Sequence, residues 1–243
     1  RVGSPAVVLP DDDDDKAKKE VVEGILYNVI SKFSDADVVR DGLIKLANFC
    51  FQGFSDDHQV VETSHYRLIL CQDQRLSVIT GAMIEWAENP EILSAACAVI
   101  TDVLSSKAVD DETVETTGIM EIVLQAMHKH PDSQYLQRCG CGALGSLLFQ
   151  GSSKERFVTK RDGLTTIAAA IKTLIGNARL QMSGYIVMSM LSKLPELKDH
   201  LIEAGCVELA VAALRLHTKN AQNADAAMIR GLAHQVLNRL TTK

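Results

Sequence analysis

Aromatic residues are scarce, making up 5% of the 243-residue chain with a single tryptophan. A β-sandwich leans on aromatic and β-branched side chains, so a palette rich in Ala, Leu, Val and Ile suits helix-on-helix packing better. Helix breakers are few, with five prolines and fifteen glycines. No apolar run reaches the roughly 18 residues that a membrane helix needs, so membrane insertion is not expected. A basic cluster with interleaved aromatics is also missing, and the formal net charge is -6. Nucleic-acid binding needs a positive surface that displaces counterions, so it is disfavoured. Six cysteines (Cys50, Cys71, Cys97, Cys139, Cys141, Cys206) form neither a CxxC pair nor a compact disulfide framework. They predict reduced thiols in a cytoplasmic protein, with the nucleus as the second compartment.

What the chain does have is apolar mass in periodic order. Hydrophobic residues make up 47% and charged residues 23%, enough for a sizeable core. The first stretch, residues 1–20, holds Pro5, Pro10 and the run Asp11 to Asp15 before Lys16. Adjacent like charges repel and cannot form a packed face, so a disordered acidic tail is expected there. The run ending in Lys16 also resembles an enterokinase cleavage sequence. The chain begins at Arg1 rather than Met, which reads as a fragment or a processed form.

From Val21 onward the chain repeats itself. Five segments begin at Val38, Ile92, Leu136, Leu180 and Ile229, and four residues later each has a small residue: Gly42, Ala96, Gly140, Gly184, Ala233. Offset seven gives Lys45, Val99, Ala143, Val187 and Val236; offset eight gives Leu46, Ile100, Leu144, Met188 and Leu237. Offset eleven gives Phe49, Val103, Leu147, Leu191 and Leu240. These offsets define one apolar stripe on an α-helix, and only Lys45 breaks it. The recurring small residue predicts close approach of a neighbouring helix in the same slot. A second register precedes each copy, a shorter helix opening at Gly24, Gly81, Gly118, Gly163 and Gly205. Short amphipathic segments stand before several of these glycines, such as Lys154 to Val158 and Leu197 to Ile202. Asp35, Asn89, Asp132, Asn177 and Asn223 stand where a side-chain oxygen can cap each long helix.

At these residues the chain resembles the armadillo family, most closely over residues 117–148 and 203–216. The copies lie 54, 44, 44 and 49 residues apart, near the roughly 40–47 of HEAT and armadillo units. The resemblance implies an all-α, right-handed α-α superhelix, an armadillo-type solenoid of about five degenerate repeats over residues 21–243. HEAT repeats are the near alternative. An insertion at about 52–80 and a polar loop after Leu216 depart from the family pattern.

Candidate chemistry reads as packing. Gly140 to Gly145 matches GxGxxG, but a dinucleotide site needs those glycines in a turn after a β-strand. Here a helical segment precedes them, and Gly140 fills the small-residue slot. Cys139 and Cys141, like His128 and His130, are two apart on a helix and point away from each other. His58 and His65 could share a face but have no completing ligands. No nucleophile elbow or catalytic cysteine setting is present. The expectation is therefore no enzyme, no metal and no cofactor. Trp86 reads as a core or inter-repeat anchor.

The resemblance also implies a ligand surface, because in the armadillo family the longest helices line a concave groove that takes peptides or partner helices. Transport-receptor members carry an Asn ladder two residues past the core Leu of each long helix. The matching positions here are Asn48, Asp102, Ser146, Met190 and Arg239, and only Asn48 keeps the asparagine. A nuclear-import receptor is not expected, and the five positions become candidate partner contacts. The expected function is a non-catalytic scaffold or adaptor binding a protein or peptide along the groove. The alternative is an assembly subunit that docks or forms a homo-oligomer through an end, where Val21, Val22, Ile25 and Leu26 look unprotected. The last helix, with His234, Gln235, Asn238 and Arg239, reads as a polar cap.

Overall fold

Twenty residues from Asp12 to Ser31 form the first helix, α1, of a computed structural model that describes residues 12–51, 66, 69–71, 75–105, 111–149, 162–217 and 224–242. Next come α2 (Ala36–Phe51), α3 (Arg75–Glu85), α4 (Pro90–Ser105), α5 (Asp111–Thr117) and α6 (Ile119–Lys129). The chain continues through α7 (Gln134–Phe149), α8 (Asp162–Thr173) and α9 (Ala178–Leu191). A 3-10 turn, Pro195–Leu197, leads into α10 (Lys198–Glu203), α11 (Cys206–His217) and α12 (Ala224–Thr241). The protein is all-α, and no strand occurs among the described residues. None of the described helices is long and apolar enough to cross a membrane.

The helices pack in chain order. Intimate pairs form between α1 and α2, α3 and α4, α6 and α7, α8 and α9, and α11 and α12. The second member of each pair also packs on the second member of the next, running α2–α4–α7–α9–α12. The first members do the same along α1–α3–α6–α8–α11. One continuous apolar core runs between the two rows.

Periodicity explains why these segments are helical and which face they bury. In α4, α7 and α9 all fifteen stripe positions are buried, for example Ile92, Ala96, Val99, Ile100 and Val103. In α12 only Leu237 is half-buried. The first copy needs a correction, because α2 buries Val39, Gly42, Leu43, Leu46 and Cys50, and leaves Val38 and Phe49 half-buried. The stripe there is rotated by one residue, which removes the anomaly of Lys45; that side chain is exposed.

The small-residue slot does what its recurrence predicts. A Cβ at Gly42, Gly140 or Gly184 would lie 2.5 Å from Val29, Met127 or Ile171, respectively, each thirteen positions earlier on the partner helix. The other two glycines of the GxGxxG match serve different neighbours. A Cβ at Gly142 would meet Thr101 on α4 at 3.2 Å, and one at Gly145 would meet Val187 on α9 at 3.4 Å. All three lie inside α7, so they are contact points with three helices rather than a phosphate turn.

The expected glycine turns divide. Gly118 (φ 62°) and Gly205 (φ 79°) adopt the left-handed conformation directly before α6 and α11. By contrast, Gly24 and Gly81 sit inside α1 and α3, and Gly163 is the second residue of α8. For α1 the reason is visible in its buried stripe of Lys18, Val22, Leu26 and Val29. That stripe carries the helix upstream of the expected boundary, so the tail predicted for residues 1–20 gives way to helix from Asp12. Residues 1–11 lie outside the described residues, as do 52–65 of the expected insertion, including His58 and His65. The insertion's last part, from Arg75, belongs to α3.

Three of the expected caps form. Asp35 Oδ1 accepts from the Asp37 and Val38 amides, Asn89 Oδ1 from Glu91 and Ile92, and Asn177 Oδ1 from Leu180. Before α7 the residue directly ahead of the helix is Ser133, so Asp132 stands one position too early. Asn223 lies outside the described residues. Trp86, half-buried just past α3, donates its Nε1–H to the Phe33 carbonyl at 3.0 Å and so ties one helix pair to the one before it.

Candidate functional site

Two adjoining depressions run across the exposed face of the longer helices. The first, about 430 Å³, is lined by Asn48 of α2, Thr101 and Asp102 of α4, Tyr135, Arg138, Cys139 and Gly142 of α7, and Arg179 and Ser183 of α9. The second, about 350 Å³, takes in Ser105 of α4, Cys141, Gly145 and Ser146 of α7, and Ile186 and Met190 of α9. Thr101, Gly142 and Ser183 line both, so the pair makes one groove.

Helix geometry puts these residues together. Tyr135, Arg138, Gly142 and Ser146 are spaced three or four apart on α7, which aligns them along one side of that helix. Glycine at 142 and 145 keeps the floor low where α7 passes between α4 and α9. Three hydroxyls of the floor turn back to their own helices. Thr101 Oγ1 donates to the Cys97 carbonyl at 2.7 Å, Ser183 Oγ to Arg179 at 3.2 Å, and Ser105 Oγ to Asp102 at 2.7 Å. Their hydrocarbon surfaces then face the groove, leaving Asn48, Asp102, Arg138 and Arg179 as its polar heads.

The guanidinium of Arg138 stacks over the Tyr135 ring, 4.8 Å from its centroid, a cation–π contact that holds the charge in place. Tyr135 remains 56% exposed beside it. Beneath them the Cys139 thiol is pushed up from its ordinary range by burial, against the pull of Arg138 and a hydrogen bond from Tyr135. Burial raises Cys97 strongly and takes Cys141 to about 12. Thiols held protonated at neutral pH are poor nucleophiles. Among the described residues no group of His, Cys, Asp and Glu could hold a metal ion.

Four of the five positions expected from sequence, Asn48, Asp102, Ser146 and Met190, line this groove. Arg239 does not. Its Nη1 donates to the Ser189 carbonyl at 2.8 Å and lies 3.2 and 3.3 Å from the Ser189 and Ser192 hydroxyls. Gln235 accepts from Ser189 Oγ at 3.0 Å. Both side chains join α12 to α9, while His234, Gln235 and Asn238 of the expected polar cap stay exposed and Arg239 alone is drawn down to its neighbour. Sequence reasoning missed Tyr135, Arg138 and Arg179. Their signal was available as the positions two and three turns upstream of Ser146 and Met190 on the same helix sides.

No protein-family model matches the sequence, and no solved structure matches it significantly. One curated protein is similar over part of its length: Protein aardvark of Dictyostelium discoideum is 27% identical over 130 residues. That alignment covers 49% of this chain and 17% of aardvark, so the chain spans well under two thirds of its relative.

Proposed function

We propose that this protein is a non-catalytic interaction scaffold of the armadillo type. In this reading the five helix pairs are degenerate repeats, coiled into a right-handed superhelix, and a partner protein or peptide lies along the concave groove. Pair-on-pair packing supports the repeat reading, as does the close helix crossing found thirteen residues apart in three of the pairs. The observation that carries the function is the groove itself. Four candidate contact residues from four successive long helices line adjoining depressions in which Thr101, Ser105 and Ser183 bond back to their own helices and whose floor is glycine. Protonated, buried thiols fit a protein without an activated nucleophile, and six free cysteines fit the cytoplasm or nucleus.

The test is site-specific photo-crosslinking in native extract, with the crosslinker at Ser146 in the groove or at the exposed Gln125 of α6. A discrete adduct from Ser146 alone is expected; equal adducts from both positions refute the groove. An assembly role is the second reading: of the four residues expected to stand unprotected at that end, Val22 and Leu26 are buried, but Val21, Tyr27 and Ile30 of α1 are 42%, 71% and 55% exposed. Light scattering separates the two, since a clean monomer removes assembly through the N-terminal end.

A further inference from the structure

We infer that the groove takes a partner segment bearing a carboxylate side chain, seated between Arg138 and Arg179, with an apolar side chain beyond it on the Gly142–Gly145 floor. The inference rests on the proposed groove function and adds the chemistry of its occupant. Arg138 and Arg179 come from neighbouring long helices and line the same depression, and neither has an ion-pair partner among the described residues. Arg138 and Arg179 outnumber Asp102 in the lining, so the depression is net positive on a chain whose net charge is -6. Arginine presents a planar fork matched to carboxylate oxygens, and two forks can share one carboxylate.

The lining on either side of the two arginines selects the residues that flank the acid. Toward Ile186 and Met190 the lining is mostly apolar, with the Thr101, Ser105 and Ser183 hydroxyls bonded to their own helices, so a hydrocarbon is the side chain that suits burial there. In the other direction Asp102 and Asn48 disfavour a second acid and suit an amide or hydroxyl. Tyr135 and Arg138 together are the residue types that dominate binding energy at protein interfaces. Charge order along the groove thus sets the order in which the acid and the hydrocarbon lie, whichever way the segment runs.

Selection of a displayed random dodecapeptide library against the whole protein tests this. The expected result is enrichment of sequences with Asp or Glu flanked on one side by Leu, Ile, Met or Val. A synthetic enriched peptide should then lose on the order of tenfold in affinity when its acid is changed to the amide. Binding should fall by a similar factor for Arg138→Glu and for Arg179→Glu, each with an unchanged circular dichroism spectrum. Enrichment of basic or neutral peptides, or equal binding by the acid and amide forms, overturns the inference. Met190→Glu separates it from the underlying reading. If that variant abolishes binding while both arginine reversals leave it intact, the groove stands and the carboxylate falls. If none of the three changes binding, both fall.

Discussion

Gly184 and Gly231 both lie inside long helices, and both lower helix propensity by about 1 kcal/mol relative to alanine. Their surroundings reverse the consequence. A Cβ at Gly184 lands 2.5 Å from both Cγ1 and Cδ1 of Ile171, whereas Gly231 has open space. Ile171 is stiffened by its branching and cannot easily give way. Gly184→Ala is therefore expected to lose about 1–3 kcal/mol despite its better propensity. Gly231→Ala is expected to gain about 0.5–1 kcal/mol, both read by urea denaturation. Gly140→Ala should fall between them, because it meets Met127, a flexible side chain. Thiols give a second residue-scale prediction. Cys141 and Cys206 rise from an ordinary 9.0 to about 12 through burial. Between these values the unfolded chain has lost protons that the folded chain keeps, so stability falls as pH rises from about 9 toward 12. Below pH 9 that contribution is fully present. Urea midpoints should drop between pH 8.5 and 10.5, and less steeply for Cys141→Ala; a flat profile would show that these thiols are not buried.

Between elements, one recurring device was not visible in the apolar stripe. Gln137, the second residue of its copy, donates Nε2–H to the Met127 carbonyl at 2.7 Å and to His130 at 3.0 Å. Gln181, forty-four residues on, donates to Ile171 at 2.7 Å. Arg230 occupies the same slot in α12 and donates to the His217 carbonyl at 2.8 Å. Each satisfies carbonyls at the end of the preceding helix that the helix itself leaves open. Replacing Gln137 with Ala should cost about 1–3 kcal/mol by orphaning buried carbonyls, measured by denaturant unfolding, while Gln137→Arg should restore part of it. Val39 and Leu93 fill this slot in the first two pairs, so polarity at one position in three copies of five is too weak a signal to read in advance. Other elements were legible because burial follows a 3.6 period: α4, α7 and α9 keep their stripes position for position. Two readings failed where a second force competes. The acidic run hid the start of α1, whose buried stripe begins at Lys18, a residue whose aliphatic stem can cover apolar surface. In the last helix Arg239 had a neighbour's carbonyl to satisfy, a partner no local pattern reveals.

In the proposed repeat stack the packing is local in one dimension. Each helix pair rests on its predecessor and successor, and the groove exists because four long helices lie side by side without anything crossing them among the described residues. Stability in such an arrangement is a sum of unit and interface contributions, so damage at one place should spread only to its neighbours. Native-state hydrogen exchange, read by mass spectrometry on the wild type and on Gln181→Ala, tests that most directly. Faster exchange is expected in α8 and α9 and in the adjoining α6, α7, α11 and α12, with α1 and α2 unchanged. Uniform acceleration from α1 to α12 would mean a single globular core and would contradict the one-dimensional stack.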